Sequence, residues 1–331
     1  MTAVPVCGMR RLSEIQVRLR PLVVIVGPTA VGKSRLALEI AKAFETDILT
    51  ADSRQVYRGM DIGTDKPTAE QRQAVTHRLI DLVEPTQPFN TGLYRRYAVE
   101  AIEDHHHNRR LPLVVGGTGL YVRTLLKGLC EAPPADPVVR ASLRRDMQER
   151  GRDHLYAQLV ACDPTAAARL HPRDESKILR ALEVHRLSGR PMSEFHQQHG
   201  FAERPFTSLV IGLNRPREVL YRRIEARIDW QLANGLVDET KQLLARGYGR
   251  ELPAMKGLGY RQVSCYLAGE YDFEEMVRRF KRDTRRFAKR QMTWFRKEPG
   301  IHWMMIEESE PLTATTNRIL HQIEAFLAGL G

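Results

Sequence analysis

Cysteine is scarce in this chain, with four in 331 residues: Cys7, Cys130, Cys162 and Cys265. No two form a C-x-x-C pair, which excludes a zinc ribbon or dithiol redox motif and leaves free thiols suited to a reducing cytosol. No apolar run is long enough to span a bilayer. Residues 1–20 carry Arg10, Arg11, Arg18 and Arg20 without a long apolar stretch before a cleavage site. They are therefore no secretory signal, and a poorly ordered basic extension is expected. Repeats and low-complexity tracts are absent too. Acid falls short of base, 40 Asp and Glu against 51 Lys and Arg, for a net charge of +11. That excess suggests an anionic partner, nucleic acid first, although a basic surface without a partner has the same composition.

What is present is the make-up of a soluble protein of one to three domains, 42% hydrophobic and 27% charged. Pro21-Leu22-Val23-Val24-Ile25-Val26 is a short apolar, β-branched run ending at Gly27, the signature of a buried parallel strand. Leu36, Leu38, Ile40, Ala41 and Phe44 follow at helical spacing. Ile48-Leu49-Thr50-Ala51, Leu111-Pro112-Leu113-Val114-Val115 and Leu209-Val210-Ile211-Gly212-Leu213 read as three more strands. Three of the four runs end in turns rich in Gly, Asp, Ser or Thr, where open α/β sheets build their sites. Pro133-Pro134-Ala135-Asp136-Pro137 breaks the pattern, and a charged helical stretch runs to about Gly200. The expected fold is α/β, a P-loop core with a mostly parallel sheet flanked by helices, plus a helical insertion. Its expected divisions are a basic extension at 1–20, a core at 21–132 and 206–310, an insertion at 133–205, and a helix or tail at 311–331.

Gly27-Pro28-Thr29-Ala30-Val31-Gly32-Lys33-Ser34 matches G-x-x-x-x-G-K-[ST] between a strand and a helix. Gly32 lets the backbone curl so that N–H groups point at phosphate oxygens, and the helix N-terminus adds partial positive charge. Lys33 contributes a full charge and Ser34 can hold Mg²⁺. A tight turn needing only glycine would leave the Lys-Ser pair unexplained. The usual second element of a nucleoside triphosphatase, an acid closing an apolar strand, is missing: Val114-Val115 ends in Gly-Gly-Thr-Gly. Asp52, before Ser53-Arg54-Gln55, closes the second strand instead. A carboxylate there can bind Mg²⁺ through water or take a proton from a nucleophile, or it can simply cap the turn.

Asn214-Arg215-Pro216 reads as a helix opening, with Asn as cap, and Arg223 and Arg227 share one face of that helix a turn apart. Residues 278–297 hold ten Lys or Arg and one acid, Asp283. Phe280, Phe287 and Trp294 recur there every seven residues, so one stripe packs while the basic face meets a phosphate backbone. His105-His106-His107 point in different directions on a helix and cannot share one metal; they read as exposed polar residues.

GPTAVGKS, DSRQVYRGMDIGTDKP, LVVGGTGLY, HPRDESKILRALEVHRLSG, GLGYRQ and KRQMTWFRK, in this order, resemble the tRNA dimethylallyltransferase family from about Leu22 to Trp303. The resemblance implies transfer of a dimethylallyl group from dimethylallyl diphosphate to the exocyclic amine of an adenosine beside the tRNA anticodon, with pyrophosphate leaving. It implies Mg²⁺ and the phosphate loop on the leaving group, Asp52 as general base, Thr29 on the bridging oxygen, and Arg227 or else Arg223 on the pyrophosphate. The matching tRNA contacts are Asp52-Ser53-Arg54-Gln55, Thr118, Arg140, Ser176-Lys177-Ile178-Leu179-Arg180, Lys256-Gly257-Leu258-Gly259-Tyr260-Arg261 and Lys289-Arg290-Gln291-Met292-Thr293-Trp294-Phe295-Arg296. The target base turns out of its loop to meet the diphosphate from the opposite end, the general logic of base flipping, and the insertion grips the anticodon stem. A cytoplasmic monomer is expected, with no membrane partner. A small-molecule kinase using ATP is the alternative, as is a P-loop RNA-binding module. The first leaves the basic stretch unused, and the second leaves Asp52 and the phosphate loop unused.

Overall fold

In the computed structural model, which describes residues 11–331, six parallel strands form one sheet in the order β3-β2-β4-β1-β5-β6. They are β1 (Pro21–Val26), β2 (Ile48–Ala51), β3 (His77–Arg78), β4 (Leu113–Gly116), β5 (Thr207–Asn214) and β6 (Ile301–Met305). The apolar runs lack polar alternation because both sheet faces are covered. Along β1, Val23 and Ile25 enter one core cluster, whereas Leu22, Val24 and Val26 enter the other. β1 lies between β4 and β5, so the loops leaving β1, β4 and β5 emerge side by side, with the end of β2 next to β4. That crevice outside the carboxyl ends is where an open α/β sheet binds its ligand.

Two strands escaped the sequence reading. β3 has only two residues, and β6 is an edge strand whose alternation leaves His302, Trp303 and Met305 exposed. Asn214 does not cap a helix. It ends β5, where its carbonyl accepts from Ile306, and the helix Arg217–Ala233 starts after Pro216 with no side-chain cap.

The extension expected to be poorly ordered is ordered from residue 11 on; residues 1–10, with Cys7 and Arg10, lie outside the described residues. Ser13 and Gln16 form a capping box on the helix Glu14–Arg18, Leu12 is buried, and Gln16 Nε2 donates to Leu327 O at 2.9 Å. The capping residues decide this segment rather than its arginines. The C-terminal stretch is the helix Leu312–Ala328, which buries Ile319, Ile323 and Leu327 and packs against Lys33–Ala43.

The histidines also depart from expectation. His105 and His106 are buried, bonded to Ala101 O at 2.6 Å and Pro21 O at 2.8 Å, and burial pushes both imidazoles below their ordinary pKa. They are core residues that tie their helix to itself and to β1. No cluster able to hold a metal occurs among the described residues.

Lys127–Arg204 forms a compact unit of its own, starting earlier than the expected residue 133 and ending at 204. Its helices pack around Leu143, Leu155, Leu159, Ile178 and Leu182. Glu183 is fully buried there and accepts from Arg140 Nε at 2.8 Å, Arg180 Nη1 at 2.6 Å and the Asp136 N–H at 2.8 Å. Burial would raise this carboxyl's pKa, but the bonds from Arg180 and Arg140 outweigh it and hold the group below its ordinary value.

β4 approaches β2 so closely that a Cβ on Gly116 would stand 2.1 Å from Ala51 O. Both strands are locked in the ladder and cannot part cheaply. Gly116→Ala is expected to lower unfolding free energy in urea by about 1–3 kcal/mol; an unchanged midpoint would contradict this packing.

Candidate active site

The phosphate loop is held by cations on its carbonyls. Lys33 Nζ donates to Gly27 O at 3.0 Å and Pro28 O at 2.8 Å. Arg223 Nε donates to Ala30 O and Arg215 Nε to Val31 O, both at 2.9 Å. With these carbonyls engaged by cations, the curl between Gly27 and Lys33 is fixed. Gly32, at φ 114°, caps the helix Lys33–Ala43 in a conformation that favours glycine. Side-chain nitrogens of Arg223 and Arg215 come within 3.8 and 3.9 Å of where a Gly32 Cβ would stand. The helix N-terminus thus sits among three cations.

Burial lowers the Lys33 ammonium to a pKa of about 8, with Asp52 and Asp65 opposing the shift and Arg227 adding to it. Burial also lowers Arg223 and Arg215, and neighbouring guanidiniums add to both shifts. An anion among these groups would relieve both the burial and the like-charge repulsion.

The sequence ranked Arg227 ahead of Arg223 for this role. The geometry separates them: Arg223 is fixed on the loop, whereas Arg227 bonds Asp65 at 3.4 Å and lines a neighbouring cavity of about 400 Å³. Arg227 Nε is buried without a partner. Arg215, read only as part of a helix opening, belongs to the loop's support. The signal was its place at the carboxyl end of a strand.

Asp52 does two things at once. Its Oδ1 accepts from the Arg54 N–H at 2.8 Å and the Gln55 N–H at 3.4 Å, so the turn-cap reading holds for that oxygen. Oδ2 has no hydrogen-bond partner among the described residues. Thr29 and Asp52 line the same cavity, with Phe280 and Phe287 from the basic helix Phe273–Phe295 on its wall. Another wall, residues 61–65, hangs on Glu239. That carboxylate accepts from the N–H groups of Asp61 and Ile62 at 2.9 Å and Gly63 at 3.2 Å, and from Tyr260 OH at 2.6 Å. Nothing in the sequence marked Glu239, because its backbone partners at 61–63 are 176 to 178 residues away along the chain.

The expected nucleic-acid contacts divide by exposure. Lys256, Arg261, Lys289, Arg290, Thr293 and Arg296 are exposed, as are Ser176 and Lys177 in the helical unit. Ser53, Arg54, Gln55, Thr118, Arg140, Leu179, Leu258 and Arg180 are half-buried. Ile178, Gln291, Met292, Phe295 and Gly259 are buried; Tyr260 and Gly257 are buried as well but line the cavity. The stripe of the basic helix that packs inward is Met276, Phe280, Thr284, Ala288, Gln291, Met292 and Phe295. Phe287 and Trp294 are only half-buried, and Arg123 lies 4.4 Å over the Trp294 ring.

The sequence model of the IPP transferase family matches residues 55–298, and that of isopentenyl transferase matches residues 20–85. A tRNA dimethylallyltransferase 2 of Geotalea daltonii is 47% identical over 93% of this chain and 93% of its own length. The tRNA dimethylallyltransferase of Syntrophobacter fumaroxidans is 48% identical over 89% of this chain and 86% of its own. Among solved structures, the full-length tRNA isopentenylpyrophosphate transferase of Bacillus halodurans has a TM-score of 0.71 at 36% identity, covering 94% of this chain and 98% of that one. A eukaryotic dimethylallyltransferase acting on tRNA has a TM-score of 0.81 at 27% identity, covering 93% of this chain and 80% of that one.

Because burial lowers Lys33 to about 8, an anion that raises its pKa makes binding above that pH take up a proton, and affinity falls as pH rises. Calorimetry with inorganic pyrophosphate in two buffers, at about pH 8.5, is expected to give greater proton uptake for the wild type than for Lys33→Met. Equal uptake would remove Lys33 from the site.

Proposed function

This chain belongs to the IPP transferase family, the tRNA dimethylallyltransferases, and from that premise we propose how its residues divide the work. A dimethylallyl group moves from dimethylallyl diphosphate to the exocyclic amine of an adenosine beside the tRNA anticodon. The reading rests on one observation above all: the phosphate loop and Asp52 border one cavity, with Thr29 and Asp52 both in its lining. The kinase reading has no comparable support: no base-reading element accompanies the loop, β4 ends in Gly-Gly-Thr-Gly and not in an acid, and the relatives are tRNA dimethylallyltransferases.

The chemistry follows from charge. An allylic carbon tolerates positive charge, so breaking its bond to the diphosphate depends on stabilising the departing oxygens. The loop N–H groups, Lys33, Arg215 and Arg223 supply that stabilisation, and Arg227 reaches it from the cavity side. Thr29 stands between diphosphate and cavity, facing the bridging oxygen. Adenine's amine is a weak nucleophile because its lone pair is drawn into the ring. It gains strength as Asp52 Oδ2 takes a proton while the new C–N bond forms. The Oδ1 bonds to the turn keep the carboxylate aimed.

Mg²⁺ suits the donor set. Ser34 is exposed on the first helical turn, and the described residues offer no carboxylate cage. A small hard cation held by one protein hydroxyl, waters and the substrate's own phosphate oxygens fits such a place. When bound, it would neutralise charge on the leaving diphosphate.

On the RNA side, the exposed Lys256, Arg261, Lys289, Arg290, Thr293 and Arg296 carry the phosphate contacts, with Arg54 and Thr118 in the cavity lining and Gln55 beside them in sequence. Phe280 and Phe287 offer flat apolar walls to an unstacked base. The helical unit, with Arg140 and Arg180 set by Glu183, takes the anticodon stem. The enzyme works as a monomer in the cytoplasm; among the described residues no helix is long and apolar enough to cross a membrane.

Incubation with dimethylallyl diphosphate, Mg²⁺ and unmodified tRNA is expected to add the mass of one dimethylallyl group at an adenosine beside the anticodon. ATP turnover without that gain would contradict the proposal. Asp52→Ala is expected to slow transfer by ~10²–10⁴-fold while diphosphate affinity is kept or tightened, since a negative charge beside Lys33 is lost. Transfer at the wild-type rate would remove Asp52 as the base.

A further inference from the structure

Gln291 sits in the basic block that resembles a tRNA-contact segment, yet it is buried, 7% exposed. Its amide spans two loops far away in sequence. Oε1 accepts from the Thr29 N–H at 2.9 Å, and Nε2 donates to Gly117 O at 2.9 Å. The amide is oriented by chemistry, because the N–H needs an acceptor and the carbonyl a donor. The fit is tight: a Cβ on Gly117 would stand 2.4 Å from Nε2. The next residue, Thr118, accepts from the Ser53 N–H through Oγ1 at 3.0 Å, and Ser53 adjoins Asp52. One buried amide therefore links the middle of the phosphate loop, the β4 loop and, through Thr118, the turn that carries Asp52.

We infer that Gln291 is a positioning residue for the diphosphate loop and not an RNA contact. It deepens the proposed function and rests on it for the identity of the reaction. Because the Thr29 N–H is spent on Gln291, that group is withdrawn from the anion, and the N–H groups toward Gly32 and Lys33 are left to bind it. Losing the amide takes the partner from the part-buried Thr29 N–H and from the buried Gly117 carbonyl and frees the loop to shift. Only a side chain with acceptor and donor on one planar group of this reach serves both loops.

The test measures two affinities on the full chain: inorganic pyrophosphate by calorimetry and an anticodon stem-loop RNA by fluorescence anisotropy. Q291M, apolar and of similar length, is expected to weaken pyrophosphate about tenfold with RNA affinity unchanged. The reverse pattern, RNA weakened and pyrophosphate intact, overturns the inference. Q291E provides a second reading should Q291M fold poorly. Ionised, it repels the pyrophosphate and cannot donate to Gly117. Protonated, it offers the same acceptor and donor as glutamine. Its pyrophosphate affinity, taken relative to the wild type at each pH, should recover as pH falls from about 8 to about 5.5; a ratio that does not change with pH overturns the inference. Failure of the wild type to prenylate tRNA would sink the proposed function and leave these pyrophosphate measurements standing, so the two failures are distinguishable.

Discussion

A loop that aims its N–H groups at one point must have its carbonyls held elsewhere, and that constraint governs this structure. Here Lys33 takes the carbonyls of Gly27 and Pro28, Arg223 takes Ala30 and Arg215 takes Val31. Ala30 sits at φ 64°, a left-handed conformation that costs an L-residue ~1–2 kcal/mol. The bond from Arg223 to its carbonyl helps to hold it there. Lys33 belongs to the loop itself, whereas Arg215 and Arg223 come from the segment after β5, which the parallel sheet brings alongside. β1 presents the loop, β5 delivers Arg215 and the helix behind it, and β4 delivers Gly117.

The same supports make the site electrostatically uneasy. Lys33, Arg215 and Arg223 are crowded, partly desolvated and short of acidic partners, which is why burial depresses all three. Proteins seldom concentrate cations this way without a ligand to match. Arg227 stands slightly apart, paired with Asp65. Asp52 is near enough to Lys33 to temper its shift while keeping one oxygen free. The arrangement has separate places for a group that departs as an anion and for a nucleophile that must lose a proton.

Local signals carried far in this sequence. The loop, its strand and helix, and Asp52 at the end of β2 were legible because each depends on residues within one turn of each other. The turn cap expected of Asp52 is there on Oδ1, which leaves its other oxygen outside the turn. What was not legible depends on distance along the chain. Gln291 meets Thr29 across 262 positions, and Arg223 meets Ala30 across 193. Helical spacing from Phe280, Thr284 and Ala288 puts Gln291 on the inward stripe, but it names neither Thr29 nor Gly117 as its partners. β6 was missed because an edge strand needs no continuous apolar run, and His105 and His106 because histidine gives no hint of its own burial. Segment 11–20 was misjudged by weighing its charge over its capping box.

The central claim is that a loop whose carbonyls are held by Arg223 and Arg215 receives a diphosphate next to Lys33 and Asp52. The most direct measurement is a crystal structure of the protein soaked with inorganic pyrophosphate. The account predicts pyrophosphate oxygens within hydrogen-bond distance of the N–H groups at Gly32 and Lys33, with the Lys33 ammonium turned from Gly27 and Pro28 onto the anion. Arg223 and Arg215 should keep their bonds to the loop carbonyls. Pyrophosphate bound elsewhere on the basic surface, with the loop empty and Lys33 still on its two carbonyls, would contradict it.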